Sequence, residues 1–305
     1  MTAIENYIVK YCVNVGNGLG RVKNKKSTLK RLKDMLAEPM VDTSVTFAQY
    51  MALDQDAKLT KKSAPGYWLA AHFREGRRKL DHQSFRSMIV LDLDYVKIGQ
   101  LDHIRMGFAE INQYYWIMHT TRAHCPEKPR VRVIIPADRQ MDATETNAIT
   151  RLISMQLADD PDEAIEIPDL VSFRYNQAMF KPSISRGQEY WLEDNPAGVI
   201  LDVDAFLAEH EGWEDYTLLP YQEAEKQRGV VDPNRKMEHP HEKPGLLGAW
   251  CRTYDVEEAI AEYHAEWEKP DSRAIRVINE RLAVDDYIRS GQKMLETYYA
   301  KHHPF

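Results

Sequence analysis

Cysteine is scarce in this chain. Three occur in 305 residues, Cys12, Cys125 and Cys251, widely spaced and with no CxxC pair. Such a set offers neither a disulfide framework nor a zinc ribbon and fits a reducing, cytoplasmic setting. Long apolar runs are missing too: nowhere do eighteen apolar residues follow one another, so no membrane-spanning helix is expected. The start, MTAIENYIVKYC, carries Glu5 and has neither the basic stretch nor the apolar core of an export signal. No GxxxxGK[ST] occurs, and GNGLG (16–20) is not GxGxxG, so a P-loop ATPase or a Rossmann domain lacks its phosphate-binding loop. No internal repeat is visible, which removes a solenoid.

What is present is a globular composition. With 43% hydrophobic and 10% aromatic residues and both charge signs interspersed, the chain can bury a sizeable core in one large domain or two modest ones. A formal net charge of −7 argues at first against a nucleic-acid partner, but the charge is unevenly spread. RVKNKKSTLKRLK (21–33) holds seven basic residues and no acid, FREGRRK (73–79) and the group Lys128, Arg130, Arg132 add more, and acid gathers in DDPDEAIEIPD (159–169) and beyond residue 200. An acidic protein can thus carry a basic track, with Lys23, Lys25, Lys26, Lys30, Arg74, Arg77 and Arg78 as candidate contacts to a nucleic-acid backbone. Any one such run, taken alone, is more often a solvated face.

NYIVKYCVNV (6–15) alternates as a strand. Ser27 is placed to cap a helix through TLKRLKDMLAE, the basic run 21–33 is read with it as helical, and a second helix is expected over Phe47 to Ala57. LDHIRMGFAEINQ (101–113) has helical spacing, while YYWIMHTT (114–121) and RVRVIIPA (130–137) are strands joined by the proline turn CPEKP. A helix is expected over 142–157, short strands in QAMFKPS and QEYWLE, and a further helix after AGVILDVD. Residues 213–245 are polar, with prolines at 220, 233, 240 and 244. They read as a linker between a 1–212 domain and a helical C-terminal region, 246–305. The mixture makes an α/β chain of the α+β kind.

The chemically pointed stretch is RSMIVLDLDYV (86–96). Side chains alternate across a strand, so Ile89, Leu91 and Leu93 share one face and Met88, Val90, Asp92 and Asp94 the other. That second face turns from oil to acid. Two carboxylates about 7 Å apart repel and lose hydration unless a cation, a basic partner or open water compensates. Mg2+ or Mn2+ would do so, particularly where phosphate oxygens complete the shell; a strand that has simply reached the surface would leave the acids hydrated.

Downstream, His124 lies among Arg122, Lys128, Arg130 and Arg132, in a basic hairpin suited, beside such an ion, to the phosphate tail of a nucleoside triphosphate. Alternation would put Thr120, Arg122 and His124 on one face of the first arm, and Arg130 and Arg132 on one face of the second. A third carboxylate would suit a two-ion site, and spacing does not choose among Asp160, Asp162 and Asp169. His239-Pro240-His241 and Tyr298-Tyr299 offer the parts of a rolling-circle nicking enzyme, but the proline and the polar flanks leave no strand to project both imidazoles. His239, His241 and Cys251 lack a fourth ligand for zinc.

Taken in order, GRRKLDHQSFRSMIVLDLDYV, HTTRAHCPEKPRVRVIIP, IPDLVSFRYNQAMFKPS and HPHEKPGLLGAWCRTYDVEEAIAEY resemble the phage and prophage primase domains of the archaeo-eukaryotic primase superfamily, which often precede a virulence-associated-E-like helicase. The likeness spans roughly residues 20–265. It implies an RRM-like catalytic half with an α/β N-terminal module. The implied activity is that of a DNA primase or primase-polymerase: template-directed nucleotidyl transfer on single-stranded DNA, from NTPs or dNTPs, with two Mg2+ or Mn2+ ions. It also implies a separately encoded helicase as a possible partner. By position, Asp92 and Asp94 match the family's D-x-D motif, Asp169 its third-motif acid and His124 the histidine of its second motif. The three acids would hold the metal. His124, with Lys128, Arg130 and Arg132 beside it, would neutralise the triphosphate. Where the family commonly has serine two residues before that histidine, Arg122 stands. Where its third segment reads RLMYWPS, this chain has Gln177–Ser183, without the arginine, which leaves Lys181 as the replacement phosphate ligand. A rolling-circle initiator and a catalytically silent nucleic-acid-binding module remain as other classes.

Overall fold

A computed structural model of the chain describes residues 4–16, 20–79, 82–108 and 114–230. The chain divides into two compact units, 1–234 and 235–305, and every described residue belongs to the first. The expected helical region 246–305, the end of the expected linker, and His239, His241, Cys251, Tyr298 and Tyr299 lie outside the described residues.

In chain order the strands are β1 (Ile8–Asn14), β2 (Val22–Thr28), β3 (Met40–Thr46), β4 (Tyr67–Leu69), β5 (Ala71–Phe73), β6 (Gln83–Leu93), β7 (Ile117–Thr120), β8 (Val131–Met141), β9 (Met179–Phe180), β10 (Ser183–Arg186) and β11 (Leu192–Asp194). The helices are α1 (Leu29–Ala37), α2 (Phe47–Ala52), α3 (Gln55–Ser63), α4 (Gln100–Met106), α5 (Ala143–Ser154), α6 (Pro161–Glu166), α7 (Val203–Ala208) and α8 (Glu223–Arg228). The fold is α+β. One sheet has the order β2-β1-β4-β9, β3 pairs in parallel with β10, and a second sheet, antiparallel throughout, has the order β11-β7-β8-β6-β5. Only Ala70 separates β4 from β5, so one extended segment passes from the first sheet into the second. In the second sheet β6 and β7 flank β8 with α4 between them in sequence, and β8 and β11 flank β7 with α5 between them. These are two interleaved split βαβ units.

The period-two pattern of β6 divides the core. Ile89, Leu91 and Leu93 pack with Val131, Val133 and Ile135 against Ala148, Ile149 and Ile153 of α5. Met88 and Val90, with Ile117 and Ile134, pack on the other face against Leu29, Leu32 and Leu36 of α1 and against Trp68. Asp142 caps α5 with a capping box closed by Glu145, which fixes where that helix begins. A turn at Gly66, with φ +80°, feeds β4; a Cβ there would collide with Asn14 Oδ1, the atom that accepts the Tyr67 N–H. The Gly66 carbonyl in turn accepts the backbone N–H of Lys181.

Three expectations are corrected. The run 21–33 is not one helix: β2 extends to Thr28, paired residue by residue with β1, and Thr28 rather than Ser27 caps α1. Sheet pairing there overrides the helix propensity of the lysines. The expected helix over 47–57 is two helices, since the chain straightens at Leu53 and Asp54 caps α3. Residues 213–230, expected as the start of a linker, fold onto the domain. Leu219, Tyr221 and Gln222 are buried there. Arg151 pairs with Glu225 at 2.7 Å while its guanidinium lies between the rings of Phe173 and Tyr221, 4.3 and 4.0 Å away.

Because Arg151 is buried, its charge depends on Glu225. Glu225→Ala is expected to cost about 3 kcal/mol, seen as a lower urea midpoint with an unchanged slope.

Candidate functional site

The second sheet carries its polar residues in rows. On β6, β8 and β7 the register aligns Val90, Ile134 and Ile117 in one row, and two residues further on Asp92, Arg132 and His119 in the next. The face that is core at the first row is therefore charged at the second. Asp92 Oδ2 accepts from Arg132 at 3.0 Å, and Asp94 Oδ2 accepts from Arg130 at 2.7 Å. The repulsion within the D-x-D pair is thus met by basic partners from the neighbouring strand. Burial pushes the Asp94 carboxyl above its usual range, and the negative charges of Asp92 and Asp169 add to the effect against the pull of Arg130 and Lys62.

Asp169 joins this group through the backbone. Its N–H donates to the carbonyl of Asp92 at 2.7 Å, and the N–H of Asp92 donates to Ser172 Oγ at 2.9 Å. The Asp169 side chain caps the 3-10 turn Leu170–Phe173. Gln222 clamps the preceding loop, its amide donating to the carbonyls of Ile165 and Pro168. Asp92, Asp94 and Asp169 all line one cleft of about 200 Å³, together with His119, Arg122, Arg132, Lys62 and Lys181. A larger cavity of about 560 Å³ shares Asp169 as a wall, but Glu163 and Glu166 line it, and its one lysine, Lys97, is paired with Glu163.

The remaining hairpin residues do not follow simple alternation. β7 ends at Thr120 and the chain turns, the His124 N–H donating to the Thr121 carbonyl, so Arg122 and His124 part company. Arg122 reaches the cleft, donates to Asp42 at 2.7 Å and lies 4.6 Å from the centre of the Tyr50 ring. Hydrogen bonds from Ser44, Lys61 and Arg122 hold Asp42 well below the usual carboxylate range. His124 is buried, its Nδ1 accepting from the backbone N–H of Arg130 and its ring edge-on to Trp191; it does not line the cleft. Burial lowers its pKa. Lys128 is exposed in the proline turn, also away from the cleft.

The histidine in the cleft is His119, which sequence reasoning passed over. Its Nδ1–H donates to the Thr120 carbonyl, leaving Nε2 a bare, buried acceptor without a partner. The same period of two that aligns Ile117 with Val90 could have found it. Asp42, Tyr50 and Lys62 carry no local signal, since they meet the cleft only through tertiary packing.

The donor chemistry fits a hard divalent ion: the groups are carboxylate oxygens, and Asp92 Oδ1 is buried without a hydrogen-bond partner. Yet among the described residues no three Asp, Glu, His or Cys side chains already stand together as a ligand set. Guanidinium groups occupy the place of positive charge. They have unused capacity, since Arg122 Nε and Nη1, Arg130 Nε and Arg132 Nε are buried donors without partners.

The basic candidates gather elsewhere. β2 is an edge strand, with Lys23 and Lys25 exposed on one face and Lys26 exposed on the other. Arg77 bridges Arg21 beside it, so the turn carrying Arg74 and Arg77 meets the start of that strand. Lys30 is engaged with Asp34, and Arg78 donates to the Asn176 carbonyl and lies over Tyr67. Lysines along an exposed edge also keep it from pairing with another chain.

Residues 11–222, a little over two thirds of the chain, match the family model described as the VapE N-terminal domain. No curated protein and no solved structure matches the chain. The matched span runs from β1 to Gln222 and contains every residue of the cleft.

Burial, reinforced by Arg132, drops the pKa of His119 to about 4, against about 6.5 in an unfolded chain. Between those values the unfolded state binds more protons, so stability rises with pH and is lost as pH falls from about 6.5 to about 4, by an amount of order 3 kcal/mol. Unfolding free energies measured across this window are expected to show that slope, and His119→Gln is expected to flatten it.

Proposed function

The chain belongs to the VapE N-terminal domain family, and on that premise we propose that this phage-associated, replication-related protein is a nucleotidyltransferase, a DNA primase or primase-polymerase working on single-stranded DNA. The observation that carries the reading is the convergence of three carboxylates, Asp92, Asp94 and Asp169, with Arg122, Arg132, Lys62 and Lys181 around one cleft. Acids beside a set of fixed cations suit a reaction in which a polyanionic nucleoside triphosphate is held while its phosphorus is attacked.

In this reading the carboxylates hold Mg2+ or Mn2+. Held by Asp92, Asp94 and Asp169, such ions would supply Lewis-acid chemistry to a primer hydroxyl and positive charge to a leaving pyrophosphate. The chain's own part is placement. The backbone lock between Asp92 and Asp169 keeps the third acid against the strand that presents the other two. Arg122, pinned by Asp42 and the Tyr50 ring, offers two free donors to phosphate oxygens, and Lys181 adds a further charge on the same wall. His124 supports the hairpin from beneath, through Arg130. The sheet edge bearing Lys23 and Lys25, with Arg74 and Arg77 near it, is the candidate template track.

A second reading, a catalytically silent nucleic-acid-binding module, is favoured by one observation: Arg130 and Arg132 already neutralise the D-x-D pair. Incubating the protein with single-stranded DNA, labelled nucleotides and Mn2+ or Mg2+ separates the two. New strand from the parent and none from a folded Asp92→Asn, Asp94→Asn variant supports transfer; DNA binding without product from the parent supports the silent module.

Template binding can be probed apart from synthesis. Lys23→Glu with Lys25→Glu is expected to weaken single-stranded DNA binding and to make its logarithmic salt dependence shallower by about 0.7 for each phosphate no longer neutralised. Titrations at several salt concentrations measure both effects.

A further inference from the structure

We propose that Arg130 and Arg132 are resident counter-cations of the carboxylate site, which release Asp94 and Asp92 to a divalent ion as they transfer to the phosphate oxygens of an incoming triphosphate. This rests on the nucleotidyl-transfer reading and concerns the order in which that site fills.

Geometry supplies the first argument. Arg132 of β8 stands directly across from Asp92 of β6, and Arg130 and Asp94 pair just beyond the ends of the same two strands, so both pairs follow from the course of one strand pair. Both pairs are largely shielded from water, with 8–20% of each side chain exposed.

Unspent bonding capacity supplies the second. A guanidinium carries five N–H donors. Arg132 uses one on Asp92 and another on the Phe180 carbonyl, and its Nε is buried with nothing to meet; Arg130 Nε is in the same condition. A phosphate offers what these forks lack, two oxygens at the spacing of a bidentate pair. Phe180 and Arg132 both line the cleft, so a phosphate entering it arrives beside a guanidinium already half committed elsewhere.

Charge supplies the third. A divalent ion entering alone would face the two guanidiniums, and a triphosphate entering alone would face three carboxylates. Each ligand removes the obstacle to the other: phosphate draws the arginines away from the acids, and the ion replaces them. Ion and triphosphate are then coupled, and the coupling resides in two residues that are neither metal ligands nor primer contacts. The arginines are phosphate-binding residues in the loaded site and positioning residues in the empty one.

The test measures two affinities in the full-length protein: Mn2+ by the loss of its free electron paramagnetic resonance signal, without nucleotide, and a non-hydrolysable nucleoside triphosphate by fluorescence titration. Relative to the parent, Arg130→Gln is expected to bind Mn2+ alone about fivefold or more tightly and the triphosphate correspondingly less tightly, the scale of a typical coupling between sites. Opposite signs on the two ligands are the signature, since a merely structural role would weaken both. Arg130→Lys keeps the charge and loses the fork. It should show a smaller change in the same directions, and it carries the test if the glutamine variant does not fold. Equal or weaker Mn2+ binding by the folded variant overturns the proposal and leaves the transfer reading standing. Failure of the parent to bind Mn2+ and the triphosphate even when both are present overturns both.

Discussion

The pairing of carboxylate and guanidinium across the end of the five-stranded sheet is the constraint on which the remainder of the site depends. β6 must be apolar on both faces to sit between α1 and α5, and it must end in acid if the cleft is to do chemistry. Two half-buried carboxylates on one face need positive charge close by. Register with β8 brings Arg132 to Asp92, and the residues just past the strand ends bring Arg130 to Asp94. Buried ion pairs of this kind contribute little net stability, because desolvation offsets most of their attraction. What they fix is geometry: each carboxylate is held to one oxygen and one direction before any ligand arrives.

Around that pair the fold is arranged to hold the third acid. Asp169 is not in the sheet, yet its backbone bonds to Asp92 on one side, and the loop before it is clamped by Gln222 on the other. Gln222 in turn stands next to α8, which Arg151 anchors through Glu225. A chain of buried contacts therefore leads from the segment after residue 213 to the floor of the cleft. This explains why a stretch polar in composition is folded against the domain. Its polarity is spent on bonds to the protein rather than to water.

The sequence made part of this visible. Alternation in β6 disclosed which residues share a face and where oil gives way to acid, because successive side chains of a strand point to opposite sides; which face meets α5 it did not disclose. The repulsion within D-x-D was legible as a demand for compensation, with a cation, a basic partner and water all open. The answer was not legible, since it depends on the register between β6 and β8, which no local pattern states. His124 stood out by its basic neighbours, while His119, with the correct parity from Ile117, lay hidden in an apolar run. The turn at 121–124 breaks alternation and sends Arg122 toward the cleft and His124 against Trp191, away from the cleft. The lysines of β2 looked helical by propensity; the partner strand that overrides them lies a turn away in sequence, but its pairing is tertiary information.

Charge counting then limits what the cleft can accept. Three carboxylates and the two arginines paired with two of them leave an excess of one negative charge, and Arg122, Lys62 and Lys181 on the walls more than offset it. Asp42 already claims one nitrogen of Arg122. The orphaned atoms have both signs as well: Asp92 Oδ1 seeks a donor or an ion, and the guanidinium nitrogens seek acceptors. A simple cation would satisfy the carboxylate and leave the donors empty, and a simple anion would do the reverse. Leaving either set desolvated and unpaired costs on the order of 1–3 kcal/mol per group. A ligand that presents both signs within a few ångströms, as a metal-chelated polyphosphate does, satisfies them together. On the proposed reading, unmet bonds of both signs in one cleft are what would favour such a ligand over a simple cation or a simple anion.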